Sequence, residues 1–175
     1  MATIHPDRMT VEPEAGFVVF IIGMRINTWY RIDKWWRVIR AFRAMFTELT
    51  AEPERGLLHA RILTGINGVT SVQYWESTDK LLRYAHDRLH TAAWQQYYRL
   101  LDDGTVGIWH ETYQVGAERD TSAQGYEAIY KQMPAFGLGA ALGVRPLTRQ
   151  TRRSSDRLGT PRSTTERSRA EQVPG

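Results

Sequence analysis

The chain has 175 residues, 42% of them hydrophobic and 11% aromatic, with six Trp, eight Tyr and no Cys. That is one domain with appendages, and it excludes a disulfide scaffold, a zinc–thiolate site, an iron–sulfur cluster and a cysteine nucleophile. The formal charge of +4 is concentrated in residues 145–175, which carry eight Arg against three acids; the rest is nearly neutral, so the basic pI is no argument for specific nucleic-acid binding.

Residues 1–15 read as a flexible N-terminal arm, polar and rich in acids and prolines. The strongest apolar run, Phe17 to Met24, is eight residues long, whereas a membrane-spanning helix needs about 20. With no secretory signal in view, the expectation is a soluble cytoplasmic protein with no membrane partner. Phe17–Asn27 (FVVFIIGMRIN) predicts a strand covered on both faces. Ile32, Trp35, Trp36, Ile39, Phe42, Phe46 and Leu49 recur at helical spacing, with Arg37, Arg40, Arg43 and Glu48 on the other side. Pro53 and Gly56 stop that helix.

Leu57–Thr64, the turn Gly65-Ile66-Asn67-Gly68 and Val69–Glu76 predict a hairpin. Ser77 caps a short helix through Ala85, and Thr91 opens another with Ala93, Trp94, Tyr97, Tyr98 and Leu101 on its apolar side. Val106–Val115 (VGIWHETYQV) predicts a strand with Trp109, Glu111 and Tyr113 on one face and Ile108, His110 and Thr112 on the other. Gly125–Met133 adds a short strand or a flap. Residues 144–175 read as a disordered Arg-rich tail, because so few apolar side chains cannot offset the entropy of ordering them.

The order β-α-β-β-α-β over residues 16–143 is the α+β, ferredoxin-like arrangement, with an antiparallel sheet and both helices on one face. The other face is left bare, and a two-fold homodimer would cover it.

Phe20–Asn27 (FIIGMRIN), Val72–Ser77 (VQYWES), Tyr84–Trp94 (YAHDRLHTAAW), Gly107–Val115 (GIWHETYQV) and Tyr126–Leu138 (YEAIYKQMPAFGL) together resemble a small bacterial and fungal family of monooxygenase-like proteins. That family is placed near the antibiotic-biosynthesis monooxygenases. The resemblance implies a dimeric α+β barrel fold and a secondary-metabolism enzyme that oxygenates an aromatic or polyketide substrate with dioxygen, using neither metal nor flavin. Relatives carry Asn where this chain has Gln132.

Such chemistry needs a base, donors for the enolate oxygen and a dry aromatic pocket. His90 and His110 are the candidate bases, each alternatively a structural histidine. Arg25 and Asn27 share one parity at a strand end and suit an oxyanion; the alternative is that Arg25 pairs with Glu76 or Glu111. Tyr74, Trp94, Tyr97, Tyr113, Tyr126 and Tyr130, with Glu111 and Met133, are the expected substrate-binding residues. Two rival readings stand: a haem protein with His90 or His110 as axial ligand, and a non-catalytic small-ligand-binding dimer. A metal hydrolase is disfavoured, since His86 and His90 lack the zincin Glu.

Overall fold

A computed structural model of the chain describes residues 8–10, 15–86, 95, 97, 103–116, 125–142, 144, 146, 147 and 158. Its elements are β1 (Phe17–Ile26), α1 (Ile32–Ala51), a 3-10 turn (Pro53–Arg55), β2 (Leu57–Gly65), β3 (Gly68–Trp75), α2 (Thr78–Ala85), β4 (Val106–Val115), β5 (Gly125–Lys131) and α3 (Gly137–Leu142). The helix expected after Thr91 lies outside the described residues, apart from Gln95 and Tyr97, which are both helical. No described helix is long and apolar enough to cross a membrane.

The strands form one sheet in the order β2-β3-β1-β4-β5, and every neighbouring pair is antiparallel. The first four strands have the ferredoxin-like order. β5 extends the sheet past β4, so the segment after Gly125 is a strand rather than a flap. Ser77 caps α2 as expected, its hydroxyl accepting from Lys80 N at 3.3 Å.

Alternation along β1 sends Val18, Phe20, Ile22, Met24 and Ile26 to the helices. There Met24, Ile26, Val106 and Tyr97 pack with Trp35, Val38 and Ile39. At the other end Val18, Leu49, Leu81 and Trp75 pack with Phe20, Leu57 and Tyr84, and Trp75 is fully buried. The apolar stripe of α1 therefore centres on Trp35, Phe42 and Leu49. Ile32 and Trp36, expected on it, fall past its edge and are 58% and 48% exposed.

The outer face is bare only in part. Beyond β5 the chain folds back, laying Phe136 on Trp109 with ring centroids 4.9 Å apart. Gly23 on β1 makes room for that indole, since a Cβ there would lie 2.7 Å from Trp109 Nε1. Glu111, 4% exposed, anchors the returning segment: its carboxylate accepts from Leu138 N at 2.8 Å, Tyr113 Oη at 2.8 Å and Tyr130 Oη at 2.5 Å. Tyr130 Oη in turn accepts from Gly139 N at 2.8 Å. Gly137 has φ +50, and a Cβ on it would strike Glu111. Burial first, and then the bond to Glu111, raises the Tyr113 phenol and pushes Tyr130 up to about 12.

Trp75→Ala empties a site that cannot refill, and is expected to cost about 3–5 kcal/mol in chemical denaturation. A phenol raised from 10 to about 12 holds its proton longer when folded. Its contribution to stability is thus complete below pH 10 and is lost as pH rises toward 12. Glu111→Gln removes the second cause and leaves burial, so absorbance at 295 nm should show tyrosines ionising at lower pH in the variant. An unchanged tyrosinate titration would refute the anchoring role of Glu111.

Candidate active site

The inner face carries polar side chains where a core is expected. Ser71, Gln73, Thr112 and Glu127 are all 5% exposed or less. Strand register aligns them in two rows. Gln73, Phe20, Thr112 and Glu127 follow one another across β3, β1, β4 and β5, and Ser71, Ile22, His110 and Ile129 form the next row. Unpaired, each such group would cost about 1–3 kcal/mol. They pair among themselves: Trp75 Nε1 donates to Gln73 Oε1 at 3.0 Å, and Gln73 Nε2 donates to Ser71 Oγ at 3.3 Å.

On the other side, Thr112 Oγ1 donates to Glu127 Oε1 at 3.1 Å, and His110 Nε2 lies 3.1 Å from the same oxygen. Facing a carboxylate, which only accepts, Nε2 is the donor in this contact and Nδ1 is the nitrogen turned away from Glu127. The ring sits 5.5 Å from that of Phe20.

Gln73, His110, Thr112 and Glu127, but not Ser71 or Trp75, line a cavity of about 110 Å³ between sheet and helices. Its apolar wall includes Phe20 and Ile22 from β1, Phe42, Phe46 and Leu49 from α1, and Leu81 and Tyr84 from α2. The floor is Gln73, His110, Thr112 and Glu127, and Leu158 closes one side. The volume is a little under the roughly 150 Å³ that admits a benzene ring in an apolar core. It is too small for a haem, and the Nε2 that an iron would take already faces Glu127.

Of the residues expected at a site, His110 lines this cavity. His90 and Trp94 lie outside the described residues. Arg25 and Asn27 do come together, with Arg25 Nε donating to Asn27 Oδ1 at 3.2 Å, but neither lines the cavity. They sit at the far end of β1, where Asn27 Nδ2 donates to the carbonyls of Gly104 at 2.9 Å and Gln132 at 2.6 Å. The amide that was to hold an oxyanion holds two loops. Nor does Arg25 reach Glu111, which is enclosed by Tyr113, Tyr130 and Leu138.

Tyr113, Tyr126 and Tyr130, with Tyr74, belong to the outer face, set there by strand parity. Tyr97 is on the helix side but at the Met24–Val106 end, its hydroxyl 2.9 Å from Val106 O and 3.1 Å from Gln132 Oε1. Met133 packs over Gly107. Gln132 has φ +55, a left-handed conformation that Asn adopts more readily.

Sequence reasoning missed Glu127. Its only signal was a single acid of opposite parity to Tyr126, Ala128 and Tyr130 in a seven-residue strand.

No protein of curated function matches the chain. Among solved structures it is similar to an aldoxime dehydratase, at 14% identity over 59% of this chain and 30% of that one, with a TM-score of 0.44. It is also similar to SnoaB, a cofactor-independent oxygenase from Streptomyces nogalater, at 13% identity over 61% of this chain and 98% of that one, with a TM-score of 0.41. The chain spans less than a third of the aldoxime dehydratase. Residues 17–138, which run from the first residue of β1 into α3 and include every strand of the sheet together with α1 and α2, match the monooxygenase af470-like family, and the chain belongs to that family.

Proposed function

We propose that the protein is a cofactor-independent, cytoplasmic oxygenase of an aromatic or polyketide-like small molecule, with His110 as the base. The observation that carries this reading is the His110–Glu127 contact of 3.1 Å on the floor of an aromatic-walled cavity. What supports it is the partner: Glu127 is paired with an imidazole, a group able to exchange a proton near neutral pH, at the floor of an aromatic-walled cavity.

The reacting end of the substrate, the edge of a phenol or an enolisable 1,3-dicarbonyl, reaches the floor between α1, α2 and the sheet, and the rest of the molecule lies outside the 110 Å³ space. His110 takes its proton at Nδ1. Glu127 holds the ring by Nε2 and stabilises the imidazolium that forms, and Thr112 fixes Glu127. The resulting anion reduces dioxygen. For a methylene carbon the balance is CH2 + O2 to C=O + H2O: the substrate supplies all the electrons, one oxygen atom enters the product and the other leaves as water. Phe20, Phe42 and Phe46 keep water from the anion. Arg25 and Asn27 have no part in this chemistry.

Metal-free protein is expected to consume dioxygen with some member of a panel of polyphenols and 1,3-diketones. His110→Ala should lower kcat by about 10²–10⁴, with partial rescue by added imidazole. Glu127→Gln should lower kcat far more than it changes KM, because the tautomer and not the pocket is disturbed. Full activity in His110→Ala would exclude this base, and a Soret band in purified active protein would replace the reading with a haem enzyme.

The reading includes a homodimer joined sheet to sheet. Val19, Ile21, Val72 and Tyr74 share the outer face away from the Phe136 segment, and Leu63 beside them is 48% exposed. Val72→Glu would put a charge in the middle of that contact. It should yield monomers in sedimentation velocity while the unaltered chain sediments as a dimer. A monomeric unaltered chain would end this part of the reading.

A further inference from the structure

We propose that the N-terminal end of α1 and the loop before it dock on an anionic lipid surface. Four large apolar side chains stand out of the protein within eight residues: Trp29 is 49% exposed, Tyr30 83%, Ile32 58% and Trp36 48%. A cluster of this kind on one spot of a surface marks an interaction site. The helix continues it with charge. At 3.6 residues per turn, Ile32, Trp36, Arg40 and Arg43 fall within about 80° of arc, and Arg37 flanks them.

The nearby cations divide into two groups. Arg31 pairs with Asp33 and Lys34 with Asp103. Arg37, Arg40 and Arg43 are exposed and have no acidic partner among the described residues. The exposed side of α1 is thus an apolar, Trp-rich tip followed by a row of unpaired guanidinium groups.

That order matches the headgroup boundary of a bilayer. Trp and Tyr rest at the interface, an Ile side chain enters the acyl region, and each cation near an anionic surface adds to the attraction. A second copy of the chain is a poor occupant, because its own three arginines would face these. A nucleic acid would use the arginines and the flat rings but has no place for Ile32. The helix would lie in the plane of the membrane.

The test uses the full-length protein with vesicles of phosphatidylglycerol and phosphatidylcholine, and with vesicles of phosphatidylcholine alone. Co-sedimentation is expected with the mixed vesicles only, weakening as salt is raised. Acyl chains carrying bromine should quench part of the tryptophan fluorescence. Trp29→Ser with Trp36→Ser, and separately Arg37→Glu with Arg40→Glu and Arg43→Glu, should each reduce the partition coefficient at least tenfold while the circular dichroism spectrum stays that of the folded parent. Residues 145–175 contain no Trp or Tyr and are intact in both variants, so their arginines cannot produce the quenching or its loss. The proposal is overturned by an unaltered protein that ignores anionic vesicles or shows no bromine quenching, by variants that bind as well as the parent, or by an arginine variant that loses affinity for single-stranded RNA while keeping it for vesicles.

Discussion

The pleat of β4 is the constraint on which the rest depends. Ten consecutive residues pair with β1 on one side, and seven of them pair with β5 on the other, so no side chain of β4 is free to choose its face. Alternation sends His110 and Thr112 under the helices and Trp109, Glu111 and Tyr113 to the outer surface. Because β5 is antiparallel and in register, it repeats the division: Glu127 arrives beside Thr112, and Tyr126 and Tyr130 arrive on the side of Glu111. Two carboxylates on adjacent strands thereby stand in two different settings, separated by the thickness of one sheet.

The two sites differ in what their donors are. Glu111 receives one backbone N–H and two phenols, and both phenols are held protonated by burial and by the bond itself. None of these groups moves a proton near neutral pH, so the cluster acts as a clasp for the segment that carries Phe136 and α3. Glu127 instead receives a hydroxyl and an imidazole. Unlike a hydroxyl or a phenol, an imidazole that donates from one nitrogen can accept a proton at the other near neutral pH. The two carboxylates differ in their partners and not in their burial.

Much of the fold was legible because it rests on local signals. The ten residues of β4, the Gly65–Gly68 turn and the Ser77 cap each carry their own pattern, and parity alone separated His110 from Glu111. The site was legible only as far as parity reaches. That Glu127 meets His110 depends on the offset between two strands separated by nine residues, which no periodicity within either strand encodes. Arg25 and Asn27 failed in the opposite sense. They share a parity and do touch, but the strand ends there, and the loop carbonyls of Gly104 and Gln132 take the Asn27 amide first. Four of the expected aromatic residues lie away from the cavity for a related reason. Tyr74, Tyr113, Tyr126 and Tyr130 look like pocket walls by composition, whereas the cavity is walled by Phe42, Phe46 and Leu49, side chains that helical spacing marks only as core.

The clasp at Glu111 also limits how a second copy can approach. A bare four-stranded face would accept a partner sheet anywhere along it. Here Phe136 lies on Trp109 and Leu138 N is bound at Glu111, so the outer side near those β4 residues is occupied by the chain's own segment. What remains open is the side formed by β1, β3 and β2, where Val19, Ile21, Val72 and Leu63 lie in adjacent rows. A partner seated there is displaced from the centre of the sheet toward β2, away from β5. The cavity of each protomer would then be bounded by its own helices and strands, because the residues that line it face the opposite side of the sheet. An interface of that geometry would brace the sheet that sets the His110–Glu127 register without adding a side chain to the cavity.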